Sequence, residues 1–374
     1  MSQVDRGELL YRIALTMVPD IGPVTARKLI GYFKSARGVF EQTGEALEKI
    51  HGIGPKISRA IRLPGLQEQA DKEIQFIDRH RISVLTLEDP EYPERLKRCE
   101  DAPLLLYVRG DKGLHCRHSL SVVGTRRATS YGRDVCRQIV MDLARKVEDL
   151  VIVSGLAYGI DVIAHRAALE AGIPTVAVLG HGLNIIYPPS HREVAKRITR
   201  LGALLTDFPS TMGPERNNFL RRNRIIAGLS EATLVIESAE TGGALITADL
   251  AASYNRDVLA VPGRTIDARS KGCNGLIKSS RAALVESAED VLYQMNWKTE
   301  RPMEDRHSAP EFAPGKEELQ LLKLMQEDPG ILPGSLSLHC GLPIQRVLSL
   351  LVELELKNMV TVEPGNRYHC RIDL

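Results

Sequence analysis

The 374-residue sequence has six cysteines, Cys99, Cys116, Cys136, Cys273, Cys340 and Cys370, and no two of them form a C-x-x-C pair. Thiols scattered in this way give no disulfide framework and fit a reducing compartment. His115-Cys116-Arg117-His118 and the dipeptides His339-Cys340 and His369-Cys370 lack zinc spacing, so no metal is expected. No apolar stretch reaches ~18 residues, and Met1 to Glu8 shows no basic segment leading into an apolar one. A cytoplasmic protein with no membrane span is expected. The sequence contains no G-x-S-x-G nucleophile turn, no Walker A motif and no G-x-G-x-x-G fingerprint. It also lacks a charge excess: 49 Lys and Arg against 47 Asp and Glu leave a net +2, so any nucleic-acid reading must rest on clustering. What is present, 43% hydrophobic and 26% charged residues, is the composition of a globular chain of two to three domains with a substantial core.

Residues 1–66 read as short helices broken by two similar turns, Val18-Pro19-Asp20-Ile21-Gly22-Pro23 and Ile50-His51-Gly52-Ile53-Gly54-Pro55. Each is a helix, a tight glycine turn and a second helix opened by proline. The pair resembles a double helix-hairpin-helix module, in which turn N–H groups hold a DNA phosphate. Asp20 stands where that pattern usually has glycine, which weakens the first copy; the second is read equally well as a phosphate site or as a packing module. Residues 67–80 are expected to form a connecting helix.

From Arg81 to Trp297 the pattern becomes strand–helix alternation. Strands are expected at Ile82–Leu87, Leu104–Val108, Leu120–Val123, Leu150–Ser154, Thr175–Leu179, Ala203–Thr206, Ala232–Ile236, Asp257–Val261 and Ala283–Val285, with helices such as Asp134–Lys146 and Ile160–Ala171 between them. Apolar strands spaced by helices predict an α/β fold with a doubly wound parallel sheet. Residues 298–315 read as a linker. Residues 316–374, with three helices and a hairpin through Pro364-Gly365-Asn366, follow the winged-helix pattern.

Three loops that follow core strands carry small and basic residues. The first, Gly124–Gly132, offers Gly124, Thr125, Arg126, Arg127 and Ser130, with a helix expected to begin near Gly132. The second, Ser154–Asp161, offers Gly155, and Asp161 reads as the N-cap of the next helix. The third, Arg216–Arg224, combines Arg216, Arg222 and Arg224 with Asn223 and Phe219. Glycine lets backbone approach an anion, a helix N-terminus points free N–H groups at it, and arginine matches phosphate with a planar fork. Loops at the carboxyl ends of parallel strands converge on one crevice, so a polyanion is the expected ligand. An aromatic among arginines suits single-stranded nucleic acid, although Phe219 also reads as a core residue and Arg222 and Arg224 as partners of nearby acids. Gly243, in Thr241-Gly242-Gly243-Ala244, and Lys278, in a basic loop from Lys271, read as rim elements. His165 reads as a packing residue.

Taken in order, Gly124-Thr125-Arg126, Ser154-Gly155-Leu156-Ala157, Phe219-x-x-Arg222-Asn223-Arg224-Ile225-Ile226-Ala227-Gly228, Leu245-Ile246-Thr247-Ala248 and Ala260-Val261-Pro262-Gly263 resemble the DNA-processing protein A (DprA/Smf) family, over residues from about 80 to 295. The resemblance implies a Rossmann-like core flanked by a helical N-terminus and a winged helix. It implies a homodimer through that core that binds single-stranded DNA, protects incoming strands in natural transformation and helps load the RecA recombinase, with no cofactor and no substrate turned over. By position, Arg126 would hold a phosphate, and Arg216 and Phe219 would supply a basic contact and a base stack, with Arg222 and Arg224 lining the same pocket. Three departures touch the rim: Gly242-Gly243-Ala244 where the family often has S-G-S, Ser280-Arg281 where it often has Gly-Ala, and Leu220 in place of a frequent proline. An enzyme reading, a lysine-decarboxylase-like nucleotide phosphoribohydrolase, needs P-G-G-x-G-T-x-x-E; the nearest stretch, Glu240 to Thr247, lacks its acid. A duplex-reading regulator is disfavoured because the third helix of the winged module sets Arg346 and Lys357 against Glu353 and Glu355.

Overall fold

The computed structural model describes residues 5–298, 314–357, 359–363 and 365–371. Most of the expected linker, together with Pro364 of the expected turn, lies outside the described residues. The chain divides into two compact units, Met1–Pro302 and Met303–Leu374.

The first unit is built on nine strands: β1 (Ser83–Thr86), β2 (Leu105–Gly110), β3 (His118–Val123), β4 (Leu150–Ser154), β5 (Thr175–Val178), β6 (Ala203–Thr206), β7 (Ala232–Val235), β8 (Asp257–Ala260) and β9 (Ala283–Leu284). Their order across the sheet is β1-β2-β6-β5-β4-β3-β7-β8-β9. All nine expected strands form, and β3 to β9 are parallel, with Leu120 level with both Ile152 and Ala232. The edge departs from the all-parallel expectation, because β1 and β2 run antiparallel to each other and β2 runs antiparallel to β6. The β1–β2 connection turns back on its own edge: its helix, Glu94–Lys97, is one turn long, and the buried Tyr92 hydroxyl donates to the Pro103 carbonyl at 2.9 Å.

Alternation along the strands splits the core into two layers. Val151 and Val153 of β4 face one apolar layer with Ile225 and Ile226, while Leu150 and Ile152 face the other with Ile139 and Val140. Burial on both faces explains the unbroken apolar runs that mark these strands in the sequence.

The N-terminal helices join this unit. Ile13, Leu29 and Ile61 belong to one apolar cluster with Ile74, Leu105, Tyr107 and Leu204, so the helical module and the sheet share a core. The expected connecting helix, Leu66–His80, forms but is no spacer: Glu73 is buried and accepts from the Ser210 amide at 2.8 Å and from the Ser210 hydroxyl. Burial pushes the Glu73 carboxyl above its usual range, against the Ser210 bonds. Arg12, buried in the first helix, reaches Glu8 at 3.3 Å and Glu88 at 3.1 Å. The two glycine turns are cross-tied: Lys28 donates to the His51 carbonyl, and Lys56 pairs with Asp20 at 2.6 Å. Asp20 takes the left-handed conformation (φ 62°) that Gly52 takes in the second turn (φ 90°).

The second unit has helices Lys316–Glu327, Pro333–Cys340 and Ile344–Leu356, then β10 (Val360–Glu363) paired antiparallel with β11 (Arg367–Cys370). Leu321, Leu336, Val347, Leu351 and Leu354 form its own core. Among the described residues no single helix is long and apolar enough to cross a membrane.

Candidate nucleic-acid interface

The sheet reverses direction of winding between β3 and β7, neighbours in space but not in sequence. In open α/β sheets, ligands bind outside the carboxyl ends of the strands at such a switch point. Here the loops after β3, β4 and β7 meet. The Thr125 amide donates to the Glu237 carbonyl at 2.7 Å, and the Ile160 amide donates to the Thr125 carbonyl at 3.2 Å. Gly159 (φ 76°) is required at that contact, since a Cβ there would lie 2.1 Å from the Thr125 oxygen. The buried Glu237 carboxylate fixes the first loop from below, accepting from the Thr129 amide at 2.9 Å and from its hydroxyl at 2.6 Å. Thr129 in turn caps the helix Ser130–Lys146, which starts two residues earlier than the expected Gly132.

Above this frame lies an open crevice of about 840 Å³. Gly124, Thr125, Arg126, Arg216, Phe219 and Gly243 line it. Arg126 and Arg216 are exposed and Phe219 is half-buried. The Arg126 guanidinium carbon lies 5.5 Å from the Phe219 ring centroid, near enough for cation–π attraction. On the β7 side, the helix Gly243–Ser253 opens toward the crevice behind Gly242, with no side chain capping its first amides.

Arg222 also lines the crevice but forms its floor, at 3% exposure. It donates to the carbonyls of Gly155, at 2.7 Å, and Val178, and its Nε donates to the Asn223 side chain at 3.2 Å. Burial lowers its pKa to about 10, opposed by the carboxylate of Asp161. Asp161 is held above the usual carboxylate range by its own burial, opposed chiefly by Arg222. It lies in the first turn of helix Ile160–Glu170, whose N-cap is Gly159, so the expected N-cap role falls to glycine. Asn223 ties the floor to the β7 side by donating to the Gly243 carbonyl at 3.3 Å.

Five of the expected contact residues stand elsewhere. Arg224 is two residues, or ~200°, around the helix from Arg222, so it faces away from the crevice. It is buried against Asp207 and the Asp101 carbonyl. This corrects the expectation that Arg222 and Arg224 line one pocket. Gly155 is buried outside the lining, and its lack of a side chain admits Arg222, whose Nη1 would lie 2.4 Å from a Cβ there. Ser130 lines a neighbouring hollow with Arg264 and Arg269, and Lys278 another with Lys271 and Arg281. Arg127 is exposed and outside the lining. His165 packs as expected, its Nδ1 2.7 Å from the Thr175 hydroxyl, and burial pushes its pKa down to about 3. Glu237 is the residue that sequence reasoning missed; its signal is an acid directly after the apolar run Thr233–Ile236.

A doubly wound α/β core carrying this crevice, with a tandem hairpin module and a winged helix, defines the class. The chain matches the DNA recombination-mediator protein A family over residues 83–296, the DprA winged helix domain over 305–366 and the SAM-like helix-hairpin-helix tandem over 13–63. It belongs to the DNA recombination-mediator protein A (DprA/Smf) family. It is 32% identical over 406 residues to Protein Smf of Synechocystis, covering 97% of this chain and 99% of that one. The crystal structure of DNA processing protein A from Streptococcus pneumoniae superposes with a TM-score of 0.65 at 30% identity, covering 78% of this chain and 98% of that one. DNA processing protein A from Helicobacter pylori, described for its single-stranded DNA binding mode, superposes with a TM-score of 0.51 at 28% identity, covering 57% and 96%.

Proposed function

We propose that this protein is a non-enzymatic, single-stranded-DNA-binding recombination mediator that protects incoming strands and helps load the RecA recombinase in natural transformation. The carrying observation is the crevice, where Arg126 and Arg216 stand exposed around the half-buried ring of Phe219. Cations that track phosphates beside an aromatic face suit a flexible strand whose bases can turn onto a ring. In this reading Arg126 and Arg216 hold phosphates and Phe219 stacks a base. Gly124, Thr125 and Gly243 supply backbone close to the strand, while Arg222 and Asn223 support the floor. Arg127, Ser130 and Lys278 serve flanking phosphates. The protein acts in the cytoplasm as a homodimer through the Rossmann-like core, needing neither cofactor nor metal. The single-stranded DNA binding described for the Helicobacter pylori relative supports the choice of ligand.

The test is a titration of oligo-dT against duplex of equal length at two salt concentrations. Preference for the single strand, weakening as salt rises, is the expected result. Equal affinity for both would overturn the reading. RecA loading is read separately, as faster RecA filament growth on strands already coated with single-strand-binding protein.

A further inference from the structure

Two exposed tyrosines beside the crevice have no part in the contacts above. Tyr187, in the loop after β5, is 43% exposed, and its ring centroid lies 5.8 Å from that of Phe219 with the planes tilted by 34°. Four residues further on, His191 is buried, its Nδ1 2.8 Å from the Leu156 carbonyl oxygen. Tyr158, 48% exposed in the loop after β4, stands edge-on to that imidazole at 5.1 Å. Since β4 and β5 are paired neighbours, with Ser154 level with Ala177, both rings are carried at the carboxyl edge of the sheet, as the crevice is.

Core packing does not explain these rings. Tyr92 and Tyr107, which serve the core, are buried, whereas Tyr158 and Tyr187 keep about half their surface in water. The surroundings also favour a polyanion: no acid occurs from Gly180 to Arg192 or from Ser154 to Ile160, and Arg192 is exposed. The Phe219 and Tyr187 rings are too close to sandwich a base, which needs about 7–8 Å for two optimal carbon contacts. They can act only side by side, each offering a face to a different base.

We propose that Tyr187 and, beyond it, Tyr158 are base-stacking residues that carry a bound single strand out of the crevice, across the loops after β5 and β4. This rests on the single-strand reading above. The strand then occupies a row of rings, Phe219, Tyr187 and Tyr158, and the binding site is longer than the crevice alone.

The experiment is an oligo-dT length series on the full chain, comparing wild type with Tyr187→Leu, Tyr158→Leu, Tyr187→Phe and Arg126→Ala. Leucine keeps an apolar contact with Phe219 but has no aromatic face. Short oligomers that fill only the crevice should bind the leucine variants as they bind wild type. Longer ones should lose about fivefold to a hundredfold, and Tyr187→Phe should restore the affinity. The salt slope should stay unchanged in the leucine variants, because no cation is removed. Photocrosslinking of an iododeoxyuridine oligomer to the wild-type protein should map to Tyr187 or Tyr158. If wild type shows no preference for oligo-dT, the single-strand reading falls and this inference with it. If wild type binds and Arg126→Ala weakens it, while the leucine variants match wild type at every length, only the extended track is overturned. An equal loss at every length in Tyr187→Leu would make Tyr187 a support for Phe219 and would also overturn the track.

Discussion

The helix Arg216–Leu229 has two parts that both carry arginine and asparagine and differ in what they do. In its first turn Arg216 is exposed, Phe219 is half-buried and Leu220 is open to water, around the crevice. From Arg222 onward every residue is buried, and two arginines are spent inside the protein. Arg222 satisfies carbonyls of Gly155 and Val178 at the ends of strands, and Arg224 pairs with Asp207 across a different face. The same side chain therefore serves a ligand surface at one end and the framework at the other. The difference comes from helix position relative to the sheet edge. The first turn reaches past the carboxyl ends of the strands, and the later turns add Ile225 and Ile226 to the apolar layer that holds Val151 and Val153 of β4. The division extends through the first unit, where the N-terminal helices belong to the framework.

The largest effect is expected from removing residues 1–81. Leu105, Tyr107 and Leu204 would lose their apolar cover, so the remaining chain should aggregate or show a molten spectrum by circular dichroism. A soluble core with a cooperative melt would break the assignment of these helices to the framework. Next, Arg224→Ala should cost about 3–5 kcal/mol of folding stability, because Asp207 would be left buried without its cation. Chemical denaturation measures this, and the surviving folded protein should bind oligo-dT as wild type does.

Phe219→Ala should cost about 1–3 kcal/mol of single-strand affinity, the usual range for one stacked base. A fully packed core phenylalanine would instead cost about 3–5 kcal/mol of stability, so a large fall in melting temperature with unaltered affinity would move Phe219 to the framework half. Arg126→Ala should leave the melting temperature within a degree or two of wild type. It should reduce the slope of log affinity against log salt by about 0.7, one phosphate on a single strand. Arg127→Ala should change the affinity less, since Arg127 lies outside the crevice lining. The smallest effect is expected from ending the chain at Pro302. The winged-helix unit has a separate core, so the melt of the first unit and most oligo-dT binding should persist. A hundredfold loss would place the main binding surface in that unit.

Periodicity and burial made the sheet legible in the sequence. Strands such as Leu150–Ser154 are buried on both faces and so appear as unbroken apolar runs, and the proline-opened helices after Gly22 and Gly54 declare their starts locally. The G-T-R loop was legible for the same reason, since glycine, hydroxyl and cation directly after a strand are a local pattern. Long-range geometry was not legible. Whether β2 would pair parallel or antiparallel with β6 depended on the path of the β1–β2 connection, and nothing in the strand itself records that. The sorting of the arginines was equally hidden. Arg222 and Arg224 are alike as sequence, and only the angle between them on the helix and the location of Gly155 and Asp207 decide their partners.

By itself the amino-acid sequence determined which segments become strands and helices, and which loops carry groups suited to a polyanion. These are properties of neighbouring residues, set by side-chain pattern and backbone preference within a few turns. Tertiary structure alone decided which of those groups face water. It turned Arg126 and Arg216 outward, buried Arg222 as a floor, placed Glu237 beneath the first loop and set Tyr187 beside Phe219. Exposure and contact of that kind depend on residues far apart in the chain, such as Thr129 with Glu237 and Arg126 with Phe219, which meet only once the sheet has assembled.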